Sequence, residues 1–172
     1  MLKDIFAADL PVRRRLAAMT GIVEAGGQWG AWAALEALED ANPSLRAAAI
    51  QAMRHLPGEA GTEKLAEVLP TLSPRDQVLL IDVLADRGDA AARPAVLELA
   101  EAEEAEVRAA AVRALGDLGT AEDVPRLLDL AATADGAVQG AAREALARLD
   151  ADGAGKRILD AAAKAEGAAR LA

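Results

Sequence analysis

Apolar positions in this chain fall into two successive helical patterns, and the pair recurs every 31 residues from about residue 42 to 165. The third copy is the clearest. Val107, Ala111, Val112 and Leu115 share one helical face, because side chains three and four apart lie together. Gly119 ends that helix, where a glycine is expected in the left-handed conformation. Thr120 can cap a second helix, with Glu122 and Asp123 in its first turn, where the helix dipole favours anions. Val124, Leu127, Leu128 and Ala131 give the second helix its apolar face.

The copies align without gaps: Leu45 to Met53, Asp76 to Leu84, Val107 to Leu115 and Val138 to Leu146. Met53, Leu84, Leu115 and Leu146 form one apolar column, and Leu65, Val96, Leu127 and Ile158 a second. Ala52, Val83, Ala114 and Ala145 form a column of smaller residues. At the boundaries, Asn42-Pro43 and Ser73-Pro74 place a capping side chain before a proline at the first helical position. Glu104 and Asp135 occupy the capping column in the later copies.

The ends depart from the pattern. Residues 1–41 read as an N-terminal capping helix and an atypical first repeat, residues 42–165 as four regular repeats, and residues 166–172 as the truncated start of a further helix. In the leading unit Val12 to Met19 begins a helix, Gly26-Gly27 break it, and Trp32 to Glu39 form the second. Its Pro11 lies 32 residues before Pro43, so the register slips by one. The aromatics Phe6, Trp29 and Trp32 all lie here; they either close the end of the core or form a docking patch. An array stopping two turns into a helix is expected to be a piece of a longer protein.

Composition narrows the function classes. Hydrophobic residues make up 53% and aromatics 2%. Alanine supplies much of the first figure, which favours closely packed helices over sheet. The absence of cysteine excludes a thiolate metal site and a cysteine nucleophile. A net charge of −9 repels phosphate, so nucleic acid is not an expected partner. No apolar window is long enough to span a bilayer, and the start lacks an apolar signal core. A complete chain of this kind would be cytoplasmic.

Glu106-Val-Arg-Ala-Ala-Ala-Val-Arg-Ala-Leu-Gly116, followed by Gly119-Thr-Ala-Glu-Asp-Val-Pro-Arg-Leu-Leu128, resembles the HEAT-like repeat of the phycobilin-lyase type. The resemblance implies an all-α, right-handed α-solenoid of about five helical hairpins whose second helices line a concave binding face. It is nearly silent on function. Proteins with such repeats include chromophore lyase subunits, accessory modules of larger bacterial proteins and artificial binding scaffolds. Several positions depart from the family pattern. Asp76-Gln77 replace the usual Val-Arg, and Arg87 stands where other units have Leu56, Leu118 and Leu149. Arg143 occupies an Ile/Val column, and Gly140 sits inside a first helix at a cost of about 1 kcal/mol relative to alanine. The fourth repeat is therefore expected to be the softest. Iron-binding HEAT hydroxylases need His-Glu pairs, which His55 alone does not provide.

Catalytic chemistry is not legible. His55 lies in a solvent-facing column with Asp86, Asp117 and Arg148. Ser44 and Ser73 read as helix caps, and Pro57-Gly58 as a turn. No glycine pattern opens a phosphate-binding helix. The chain is expected to be no enzyme and to need no cofactor or metal.

One column carries charge throughout. Glu36, Glu67, Glu98, Asp129 and Asp160 are spaced by 31 residues and fall in the second helices, away from the Leu65/Leu127 column. With neighbouring helices about 8–10 Å apart, they would form a ladder of carboxylates. Two such charges repel by roughly 0.4 kcal/mol in water and about 1.7 at an effective dielectric of 20. Lys64, Arg126 and Arg157 stand three residues before Glu67, Asp129 and Asp160, where each could pair along its helix. The ladder is either an acidic groove for a basic partner or a solvated face with local ion pairs. Three functions fit: a scaffold binding a protein or peptide on the concave face, a non-catalytic accessory subunit of an enzyme such as a chromophore lyase, or a structural spacer in a larger multidomain protein.

Overall fold

The computed structural model describes residues 10–25, 27–54, 59–149, 153–160 and 163, and the described residues contain helices and no strand. The first helices of the units are α1 (Val12–Ala25), α3 (Pro43–Met53), α5 (Pro74–Arg87), α7 (Ala105–Leu118) and α9 (Gly136–Arg148). The second helices are α2 (Gly27–Leu38), α4 (Glu59–Val68), α6 (Arg93–Leu99) and α8 (Val124–Thr133), and residues 154–160 are also helical. Each first helix packs on the next, α1 on α3, α3 on α5, α5 on α7 and α7 on α9, and second helices back this row. The result is two helical layers advancing along the chain.

The columns read from sequence become the core. Met53, Leu84 and Leu115 are fully buried, as are Leu65, Val96 and Leu127. Their counterparts Leu146 and Ile158 are half-buried. One continuous apolar cluster runs from Met19 to Ala145, so each unit hides its apolar face against its neighbours. Small residues permit the close approach. A Cβ on Gly30 would lie 3.1 Å from the Val23 carbonyl oxygen, and one on Gly116 would lie 3.0 Å from Ala145 Cα.

The boundaries follow the expected capping chemistry in part. Asn42 Oδ1 accepts from the Ser44 amide at 2.9 Å, and Ser73 Oγ accepts from the Asp76 amide at 3.4 Å. Glu104 and Asp135 occupy the same column but make no side-chain cap. Thr120 forms a capping box with Asp123 at the 3₁₀ turn Ala121–Asp123 that leads into α8. Gly119 is not left-handed as expected: its φ is −72° and its ψ 170°. Glycine is required there for space, since a Cβ would lie 2.2 Å from the Leu115 carbonyl oxygen. A left-handed glycine instead ends α5, where Gly88 has φ 66°.

Each departure from the repeat pattern is accommodated locally, by hydrogen bonds or by solvent. Arg46 and Arg108, equivalent residues two units apart, donate from Nη1 to carbonyls of the preceding segment: Arg46 to Asp40 and Ala41, Arg108 to Ala102 and Glu103. Gln77, in the same column, donates to the Leu69 carbonyl at 3.3 Å and so replaces arginine without its charge. Its neighbour Asp76 is buried yet paired, accepting from Arg46 Nε at 2.8 Å and from Ser73 Oγ at 2.7 Å. Arg87, in a leucine column, donates to Thr62 Oγ1 at 3.0 Å and to the Met53 carbonyl at 3.1 Å, and Thr62 in turn donates to Asp89. Arg143 is exposed, so its charge in an Ile/Val column needs no buried partner. Gly140 is also exposed, with open space where a side chain would stand.

The aromatic end differs from the first of its two expected roles. Trp29 is 55% exposed and therefore does not close the core. It meets the half-buried Trp32 edge-to-face, with ring centroids 6.5 Å apart. α2 begins at Gly27, earlier than the expected start at Trp32. Phe6, His55, Pro57-Gly58 and residues 166–172 lie outside the described residues. No described helix is long and apolar enough to cross a membrane.

Candidate interaction surface

The second helices place the carboxylate column on the surface. Glu36 in α2, Glu67 in α4, Glu98 in α6, Asp129 in α8 and Asp160 in the helical residues 154–160 are all exposed. The reason is helical phase: each lies two residues past Leu65, Val96, Leu127 or its equivalent, about 200° around the helix from the buried column. None of the five makes an ion pair among the described residues.

Among the described residues the expected pairing along each helix does not form. Arg126 does not turn to Asp129 but reaches back to Glu101 of the preceding unit. Lys64 and Arg157 form no ion pair among the described residues. Spacing of three allows a contact on a helix but does not select it over a carboxylate on the neighbouring one.

Between α2 and α4 the surface opens into a groove of about 550 Å³. Trp32, Leu35 and Leu38 line it from α2, Val68 from α4, and Leu72 from the segment after the 3₁₀ turn Leu69–Thr71. Glu36, Glu39, Glu67 and the cation Lys64 complete it. Two of the five acidic-column residues thus share one cleft. Sequence reasoning missed its apolar part, although a signal was present. Trp32 stands where the other units have Glu63, Pro94 and Pro125, and Leu72 where they have Ala41, Glu103 and Ala134.

The opposite surface is different. Arg54, Asp82, Asp86, Arg113, Asp117 and Arg148 line a second cleft of about 280 Å³ between first helices. There the charges pair across units: Arg54 with Asp86, Arg113 with Glu144 at 3.1 Å, and Arg148 with Asp117 at 3.2 Å. Among the described residues no three His, Asp or Glu side chains gather as a metal site.

A family model described as HEAT repeats covers residues 62–147, half of the chain. No curated protein matches it.

Proposed function

Because the chain belongs to the HEAT-repeat family, whose members generally serve as protein-interaction scaffolds, we propose that its second-helix face binds a basic protein or peptide segment. The observation that carries this reading is the contrast in pairing. Glu36, Glu67, Glu98, Asp129 and Asp160 are exposed and make no ion pair among the described residues, whereas the first-helix surface carries Arg–Asp and Arg–Glu pairs. An unpaired row of one sign keeps its field for an incoming charge and speeds encounter with a cationic segment. Fold alone does not choose the partner, so the charge pattern bears the weight of the proposal.

A lysine-rich peptide titrated at several ionic strengths tests it. Replacing Glu67, Glu98 and Asp129 together by alanine weakens binding and flattens its salt dependence. Affinity unchanged by the triple replacement rejects the acidic-face reading.

A further inference from the structure

We propose that the groove between α2 and α4 is a specificity subsite that takes one bulky apolar side chain from a partner segment with basic residues on both sides of it. The inference rests on the acidic-face reading and adds a position and a preference to it.

Three observations converge. The first is shape and lining: about 550 Å³ lies within the roughly 300–1,000 Å³ typical of ligand-holding clefts, and Leu35, Val68 and Leu72 are half-buried in its walls. The second is origin. A regular repeat would not make this cleft, because Trp32 and Leu72 are both departures from their columns and both meet in it. Positions that keep the period build the stack; these two are larger than their counterparts and do not disappear into the core. The third is charge. Glu36, Glu39 and Glu67 surround the apolar walls against the single cation Lys64, which complements a segment positive on both sides of its apolar residue. The acidic column continues beyond the cleft through Glu98, Asp129 and Asp160, which suits an extended chain rather than a compact small molecule.

The test uses the full chain with Trp29→Phe, so that Trp32 alone reports by fluorescence. Two probes are titrated: a short peptide of lysine, glycine and serine with one central leucine, and its twin with a central serine. The leucine peptide is expected to bind about tenfold tighter, well below the full transfer value of a buried leucine because the cleft is open, and to shift Trp32 emission to the blue. Leu72→Ala, a residue the same column already carries at Ala41 and Ala134, should erase the difference between the peptides while both still bind with the same salt dependence. Equal binding of the two peptides without an emission change overturns the subsite and leaves the acidic face standing. Binding of neither overturns both. A leucine preference that survives Leu72→Ala overturns the location. A blue shift that grows with protein concentration in the absence of peptide assigns the groove to a second copy and overturns the proposal.

Discussion

Between the first helices, Arg54, Arg113 and Arg148 each meet a carboxylate of an adjacent unit; on the second helices, Glu36, Glu67, Glu98, Asp129 and Asp160 make no ion pair among the described residues. The difference follows sign. The first-helix surface brings both signs together across units, with Arg54, Arg113 and Arg148 beside Asp86, Glu144 and Asp117, while the second-helix row keeps one sign. Pairing across units turns charge inward, into the contacts that set how one unit sits on the next. A row left unpaired contributes little to that assembly and presents its charge outward. The buried boundaries extend the first kind of arrangement, with Arg46 on Asp76 and Arg93 on Asp123.

The comparison is broken most directly at the boundary between α6 and α8. Asp123 is 6% exposed, accepts from Arg93 Nη2 at 2.9 Å and from the Thr120 amide at 2.7 Å, and so serves both the ion pair and the cap. Asp123→Ala should destabilise the chain by about 3 kcal/mol in urea denaturation, because it strands a largely buried guanidinium and opens the capping box. A loss under about 1 kcal/mol would show that this pair does not hold the units together. Next in size is Gly119→Ala, at about 2 kcal/mol, since the added carbon meets a backbone oxygen and Leu149 rather than solvent. Thermal melting reads it, and an unchanged midpoint would show that the turn relaxes freely.

Gly140→Ala works in the opposite direction. The residue is exposed inside α9 with open space around it, so alanine should stabilise by about 1 kcal/mol. Hydrogen exchange of α9 amides would show whether the gain is local. The smallest stability change belongs to the acidic row: Glu36→Gln, Glu98→Gln and Asp129→Asn together should move the unfolding free energy by less than about 0.5 kcal/mol. The same variant should lose most of its lysine-peptide affinity at low salt. A large stability change there, in either direction, would show that the row takes part in assembly and would erase the contrast.

What the sequence revealed depended on how local the physics was. The buried columns and the Asn42, Ser73 and Thr120 caps were legible because helical phase and capping act within a few residues. The exposure of the five carboxylates was legible for the same reason. The pairs Arg46–Asp76 and Arg93–Asp123 join residues 30 positions apart, and no local pattern tells an arginine which neighbouring carboxylate it will meet. Lys64, Arg126 and Arg157 show the converse: a favourable spacing within one helix did not decide the contact. Gly119 was assigned the right effect for the wrong reason, because steric crowding by Leu115 and Leu149 appears only after folding. The groove was not legible because two of its walls, Trp32 and Leu72, break the repeat, and no periodic pattern brings them together.

The hold that Arg46 and Arg108 keep on the carbonyls before them makes the array extendable. A duplicated block spanning residues 105–135 would carry its own clasp for the unit ahead and its own acceptors for the unit behind, so lengthening needs no new junction to be invented. A gene that copies such a block in frame would gain another rung with its fastening already in place.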